Sequence, residues 1–477
     1  MSEPVARQSH NVTLAVLAVA ALAYALLQTM VAPALPAIQR ELDTSTTSVT
    51  WVLTVYLLTA SIATPVLGRL GDMFGKERVL VMVLCLFALG SIIAALSESI
   101  GMLVAGRAVQ GAGGAVFPLA FGIIRDEFPA ERVPTGIGLI SATFGIGGGA
   151  GLVLSGLIVD HLSYEWIFWF GLAVVLVAIV ATHLFVPESP VKTPARVDVK
   201  GAALLSAGLV SLLLALSEGE RWGWTSPEIM GLFALAALIL AAWVRFEQRV
   251  PEPLVDIGLL RARPVWTTNL TGFLIGFGMF GSFILTPQFV QTPEGAGYGF
   301  GVDVTGAGLF MLPSAAIMLV AGPLAGTLAT RVGAKLPLLL GTLFAASSFA
   351  LLALAHSEPW HVIAAVTLLG LGIGLSFASM ANLIVAAVPQ TQTGEATGMN
   401  TIMRTVGGAF GGQIAAAIVA GHVNPATGFP SEGGFTAAFA LGAIALVLAL
   451  AAAAAIPGRR TARTPVAGHP SEAHAGG

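Results

Sequence analysis

The chain has 477 residues, 56% of them hydrophobic and only 10% charged, with a mean hydropathy of +0.87 and a formal net charge of −3. A soluble protein carries roughly 25% charged residues, so this composition excludes a soluble enzyme. At ~20 residues per span, the chain has room for a dozen or more membrane helices and no sizeable extramembrane domain.

Apolar runs bounded by charges, proline or glycine predict helices over 12–35, 49–71, 79–97, 101–124, 136–159, 166–186, 201–217, 228–245, 266–290, 304–330, 336–355, 360–388, 398–421 and 436–456. All fourteen are apolar on every side, as helices in lipid must be, and the alternation of a β-barrel is missing. The first run follows Arg7 and is about 24 residues long without a convincing cleavage site, so it reads as an uncleaved helix rather than a signal peptide. With the amino terminus in the cytosol, 18 of the 22 Lys and Arg residues fall on the inner face. Only Arg40 and Arg221 fall outside, while Arg107 and Arg404 lie within helices, which supports both the orientation and the even helix count. Both termini are then cytosolic, and the Pro/Gly/Ala-rich tail 457–477 reads as disordered. The single cysteine, Cys85, excludes an intramolecular disulfide and reads as inert packing.

Between the second and third runs, residues 68–78 read Gly-Arg-Leu-Gly-Asp-Met-Phe-Gly-Lys-Glu-Arg. So short a connection must be a tight turn, and Gly68, Gly71 and Gly75 let it approach its neighbours closely. In the fourth run Arg107 is costly in lipid, so it faces the bundle interior or snorkels to the outer surface; Gln110 and Gly111, at i+3 and i+4, share its face. In the fifth, Gly147, Gly151 and Ser155 recur every four residues, with Gly156 beside them, a small face on which another helix can pack and seal one side of a path. Polar groups inside other spans, Gln28, Asn269, Gln288 and Asn382, are candidates to line a cavity. So is Asn400, beside Thr401 and Gln413 in the thirteenth run, where Arg404 reads as a cytosolic-side anchor or a gate residue of the transport path.

The skeleton G-x-L-x-x-x-x-G of Gly68 to Gly75 recurs as Gly326 to Gly333 after the tenth run, the weak symmetry of a transporter built from two halves. Six helices per half leave two surplus, and 201–245 is the natural insertion, bracketed by the polar stretches 187–200 and 245–263. The expected organisation is a six-helix bundle over 1–187, linkers and two extra helices over 188–265, and a second six-helix bundle over 266–456.

The 68–78 block resembles the G-x-L-x-D-x-x-G-[RK] signature of the major facilitator superfamily. Arg107-Ala-Val-Gln110-Gly111-Ala-Gly113 is similar to its fourth-helix R-x-x-Q-G-x-G, and the stretch from Gly147 to Gly156 to its fifth-helix antiporter motif. With fourteen runs and Trp166-Ile-Phe-Trp169 opening the sixth, the chain resembles the fourteen-helix drug:proton antiporters over nearly its whole length. Two positions depart. Leu152 and Ser155 replace a proline and a glycine of the fifth-helix motif, and Leu26-Leu27-Gln28-Thr29 stands where the family carries an acidic residue.

The resemblance implies an all-α fold of two six-helix bundles around a central cavity, with two inserted helices, working by alternating access. It implies that Asp72 latches the cytosolic side by accepting N–H groups at the positive start of a helix beginning near 396–400. Lys76 and Arg78 belong to the same latch, and Asp126 pairs with Lys76. The implied activity is proton-coupled export of drugs or antibiotics across a bacterial inner membrane. Apolar, nearly uncharged spans favour lipophilic or amphiphilic cargo. No acidic residue falls at the midpoint of a span, so proton carriers are sought near span ends: Asp160 and Glu165 first, then Glu218, Glu228 and Asp126, with His161 or His183 as titratable alternatives. The expected partners are the cargo, protons and the bilayer, with a monomer as the working unit. No nucleotide-binding G-x-x-x-x-G-K-[ST] motif, metal-ligand spacing or nucleic-acid surface is present, so no cofactor, metal or nucleic acid is expected. A dedicated exporter of one metabolite, a membrane-embedded transferase and a receptor are the rival readings.

Overall fold

The computed structural model describes residues 9–192, 198–424 and 428–457. Among these are fourteen helices long and apolar enough to cross a membrane. The first six are α1 (His10–Glu41), α2 (Ser48–Phe74), α3 (Lys76–Ala95), α4 (Ile100–Glu127), α5 (Val133–His161) and α6 (Glu165–Phe185). Next come α7 (Val199–Trp222) and α8 (Pro227–Glu247). The last six are α9 (Arg263–Gln291), α10 (Thr305–Val332), α11 (Lys335–Leu354), α12 (Pro359–Ala387), α13 (Gln390–Ala420) and α14 (Glu432–Ala454). The tail from 458 onward, with Arg7 and Arg196, lies outside the described residues.

The expected turn over 68–78 contracts to Gly75 alone, because α2 stays helical to Phe74 and α3 begins at Lys76 once Gly75 takes the positive φ that reverses the chain. Three other elements differ from expectation for identifiable reasons. α1 continues through Pro33 and Pro36 to Glu41, because inside a bundle neighbouring groups compensate the hydrogen bond each proline forfeits. α4 is broken by a 3₁₀ turn over Gly111–Ala115, where a side chain at Gly111 would run into Thr59 and the α2 backbone. α13 starts well before residue 398 because its polar opening, Thr393, Glu395 and Thr397, is buried in protein rather than left in water or lipid. Cys85 is exposed on the surface of its span rather than packed inside.

α1–α6 bury one apolar core, built around Leu17, Leu27, Phe87 and Phe168. α9–α14 bury another, around Phe289, Phe349, Phe435 and Phe439. Within the first set α1 packs on α5 and α6, and α3 on α4 and α6; within the second α9 packs on α13 and α14, and α11 on α12 and α14. Equivalent helices thus meet equivalent partners. The sets join along two crossings, α2 on α13 and α5 on α10, which the same correspondence interchanges. α7 and α8 pack on each other, and α7 reaches the rest through α2 and α13. In its most apolar stretch α8 is only 17% buried, against 72% for α12, so α8 faces outward and α12 lies near the centre.

The repeated glycines occupy matching places. Gly75 ends α2 with φ 116° and Gly333 ends α10 with φ 87°, conformations that side-chain-bearing residues rarely adopt. Gly68 and Gly326 both lie at the crossings between the two sets.

Candidate functional site

At the end of the bundle where Arg69, Lys76, Arg78 and Arg125 cluster, termed the basic end, α2 meets the start of α13. A Cβ on Gly68 would stand 2.6 Å from the Gly394 carbonyl oxygen, and one on Gly394 2.5 Å from that of Gly68, so the helices touch backbone to backbone. That approach sets Asp72 on the first turn of α13, where its Oδ2 accepts the Glu395 N–H at 3.2 Å, an anion at the positive end of a helix. Lys76 Nζ stands 3.3 Å from Asp72 Oδ1 and 2.7 Å from Asp126 Oδ2, with all three side chains buried. Ser189 Oγ donates to the same Asp126 oxygen at 2.5 Å. A Cβ on Gly75 would clash with the Glu188 carboxylate, which pairs with Arg78 at 3.2 Å.

Several residues of this cluster are not singled out by the sequence. Arg69 NH1 lies 3.3 Å from Glu395 Oε2, and the Asp256 N–H donates to Glu395 Oε1 at 2.6 Å, so the linker after α8 is tied to the same carboxylate. Arg125 reaches from α4 to the other set, donating to Val388 O at 2.6 Å, Pro389 O at 3.0 Å and Thr393 Oγ1 at 2.6 Å. Sequence alone counts Arg69 and Arg125 only as positive-inside charges. The available signal is Glu395 itself, an acid beside a glycine in a stretch too polar for lipid.

Among the described residues the second crossing closes without an ion pair. A Cβ on Gly138 would stand 2.5 Å from Gly322 O, one on Gly322 2.5 Å from Gly138 O, and one on Gly326 2.6 Å from Pro134 O. Asn382 Nδ2 donates to Pro134 O at 3.3 Å and to Ala378 O at 2.9 Å. Farther along, Gly145 faces Met318 and Gly149 faces Ala315. The stripe expected to form the gate points elsewhere. Gly147 packs on Ala25, Thr29 Oγ1 donates to Gly147 O at 2.8 Å, Gly151 abuts Thr29, and Ser155 Oγ donates to Met30 O at 2.5 Å. Gly147, Gly151 and Ser155 therefore clamp α5 to α1 within one set. Gly156 has only Thr305 Oγ1 near it, at 4.0 Å.

Arg107 is fully buried and does not snorkel. Its Nε donates to Val52 O at 3.2 Å, NH1 donates to Gln110 Oε1 at 2.8 Å, and the guanidinium lies 3.9 Å from the Tyr56 ring centroid. Gln110 Nε2 then donates to Ser91 Oγ at 2.7 Å, and Ser91 Oγ to Phe87 O at 2.8 Å. This chain knits α2, α3 and α4 together and contains no acid. Arg107→Ala is expected to destabilise the protein by about 1–3 kcal/mol through the stranded Gln110 carbonyl. Lysine should not rescue it, lacking the planar fork. Thermal unfolding in detergent tests this, and an unchanged midpoint in the alanine variant would refute the network.

Between the crossings lies a central cavity. Phe117 and Phe121 of α4 and Ser141 and Phe144 of α5 line one side; α12 supplies Phe377 and Ala381, and α13 supplies Thr397, Asn400, Thr401 and Arg404. Rings meet edge to face here, with centroids 5.9 Å apart for Phe117 and Phe144 within the first set and 5.6 Å for Phe144 and Phe377 across the seam. Asn400 Nδ2 donates to Asn269 Oδ1 at 2.9 Å, so Asn269 backs the wall. Space remains for about one water. Of the other expected cavity residues, Asn382 belongs to the seam, Gln288 is exposed, and Gln28 is half-buried on α1 with a buried Oε1 that has no hydrogen-bond partner; none of the three lines the cavity.

The expected proton carriers also lie apart from it. Asp160 is exposed; Glu165 is half-buried, with one carboxylate oxygen buried and unbonded, within electrostatic range of Glu41. Glu218 pairs with Arg221 at 2.5 Å, Glu228 is exposed, and Asp126 belongs to the basic-end cluster. His161 is exposed and His183 lies 3.7 Å from Glu77.

A family model described as the Major Facilitator Superfamily matches residues 17–412 and 299–475. The tetracenomycin C resistance and export protein of Streptomyces glaucescens is 30% identical over 415 residues, covering 86% of this chain and 76% of that protein. The multidrug transporter protein MdtP of Bacillus subtilis is 30% identical over 387 residues, covering 80% and 70%. Among solved structures, the human organic anion transporter MFSD10 superposes with a TM-score of 0.67 at 17% identity, covering 93% of this chain and 99% of that one. The proton:xylose symporter XylE gives 0.65 at 14% identity, covering 92% and 94%. At such identities the two structures speak to fold alone.

Proposed function

This chain belongs to the Major Facilitator Superfamily, and from that premise we propose that it exports lipophilic or amphiphilic small molecules from a bacterial cytosol in exchange for protons. A transporter family leaves no place for the transferase reading. The two six-helix bundles, 1–187 and 266–456, rock about the cavity between them, with 188–265 as the insertion. The basic end faces the cytosol, as the positive-inside rule favours, so both termini are cytosolic, and the working unit is a monomer in the bilayer.

One observation carries this reading: a cavity lined by both bundles is sealed on the basic side by contacts that hold no covalent or continuous structure together. Asp72, Arg69 and Arg125 bond to the first turn of α13 and the loop before it, and Gly138 and Gly322 meet through bare backbone. Such contacts can break and re-form as a unit. Opening them exposes the cavity to the cytosol for loading, and remaking them after reorientation traps the cargo on the outer side. A dedicated exporter of one metabolite is the second reading, favoured by Leu27 in place of the family's acid and by the absence of a carboxylate from the cavity lining.

The test is efflux of an amphiphilic dye from proteoliposomes with and without an imposed pH gradient. Efflux that rises several-fold with the gradient is expected. Efflux indifferent to the gradient would remove proton exchange and leave uncoupled export.

A further inference from the structure

Two arginines lie inside the membrane-spanning bundle, and they are treated differently. Arg107 is bonded through Nε to Val52 O and through NH1 to Gln110 and is covered by Tyr56, with only its NH2 buried and unbonded. Arg404 is mid-helix, roughly 16 Å along α13 from Thr393 at 1.5 Å per residue. It borders the cavity with its Cζ 4.1 Å from the Phe377 ring centroid. Among the described residues no carboxylate pairs with it and no hydrogen bond involves its guanidinium. Tyr24 of α1 is the titratable side chain within its electrostatic range, and a phenol is ordinarily neutral at pH 7. A cation costs free energy in the membrane interior. A face-on ring offsets part of that cost but leaves the N–H groups free.

The remaining lining chemistry points the same way. Ser141 Oγ, on the opposite wall, is buried without a hydrogen-bond partner. The hydroxyls of Thr397 and Thr401 donate to carbonyls of their own helix, and Asn400 donates to Asn269. The uncommitted donors in the cavity are therefore a guanidinium and a hydroxyl, surrounded by four phenylalanine rings. A lipophilic cation would meet a fixed like charge here. A planar aromatic molecule bearing an ionised acid would meet a fork of N–H donors and ring faces to stack on.

Resting on the export reading, we propose that the cargo is an aromatic anion, admitted when parting of the basic-end contacts widens the cavity beyond the one-water space it has when closed, with its carboxylate or ionised phenol held by Arg404 and its rings by Phe117, Phe144 and Phe377. Arg404 then distinguishes cargo by charge: entry of the anion neutralises a cation that meets no counter-charge in the empty cavity.

Fluorescein, an anion, and rhodamine 123, a cation on the same xanthene frame, separate the alternatives. Fluorescence anisotropy with the purified full-length protein is expected to give fluorescein at least a tenfold tighter affinity than rhodamine 123. Arg404→Gln should weaken fluorescein binding on the order of tenfold with unaltered thermal unfolding, and Arg404→Lys should keep the anion preference. Equal or tighter binding of rhodamine 123, no binding of fluorescein, or a Gln variant that binds fluorescein like the parent would overturn the proposal. If the Gln variant does not fold, the parent's dye ratio and the Lys variant still decide. In proteoliposomes, fluorescein that is bound but not moved would sink the export reading and leave the charge assignment standing; rhodamine 123 moved without fluorescein binding would do the reverse.

Discussion

Asp72→Asn is expected to cut transport on the order of thirtyfold while leaving the protein folded. Asparagine keeps the shape and an oxygen for the Glu395 N–H, so what is lost is charge. Its attraction to the start of α13 and to buried Lys76 disappears together, a loss of about 2 kcal/mol for a partly buried helix-end anion. At ~1.4 kcal/mol per tenfold, the balance between closed and open basic ends moves by that same thirtyfold. Lys76 keeps Asp126 at 2.7 Å, which is why the fold should survive. The state can be read directly because Cys85 is the chain's only cysteine and is surface-exposed. In a Cys85→Ser background, a cysteine at cavity residue 397 is expected to label faster from the basic side, with a membrane-impermeant maleimide, once Asp72 is neutralised. Unchanged labelling together with unchanged transport would sink the latch.

How much of this was legible beforehand follows from what each signal encodes. Burial in lipid is a property of composition, so all fourteen spans could be read from apolar runs. The charged 68–78 block was legible as a meeting point because charge in so short a connection needs a partner, and Asp72 does receive the N–H of a helix start, although of this block only Gly75 is a turn. The partner acid was not, because Glu395 reads as loop until one sees that Gly68 and Gly394 let α13 begin inside the protein. Arg125 was hidden for a related reason: an arginine at a span end fulfils the positive-inside pattern whether or not it bridges the two bundles. Cavity residues were the hardest to assign. A polar side chain within an apolar run has the same signature when it lines a cavity, as Asn400 does, when it seals a seam, as Asn382 does, or when it is exposed, as Gln288 is.

The same ambiguity sets up the strongest prediction, because α5 carries small residues on opposite faces. Positions 145 and 147 are two residues apart, roughly 200° around a helix, so Gly145 looks at Met318 across the seam while Gly147 looks at Ala25 within its own bundle. Gly138→Val is expected to lower transport by up to about a hundredfold, since overpacking costs ~1–3 kcal/mol and here falls on a contact made only when the basic end is closed. Its added Cβ would lie 2.5 Å from a backbone oxygen of Gly322, which no rotamer can relieve. The bundles must part, so labelling at residue 397 from the basic side should rise, with thermal stability nearly unchanged. Gly147→Val meets Ala25 backbone inside one bundle, so it should lower the unfolding midpoint instead, leaving labelling of the folded fraction as it was. Gly148, between the two faces, has nothing within 4 Å of an added Cβ, and Gly148→Val should move neither readout. If Gly138→Val lowered stability without changing accessibility, the α5–α10 contact would be ordinary packing, and the seal would have to reside in the charged crossing of α2 and α13 alone.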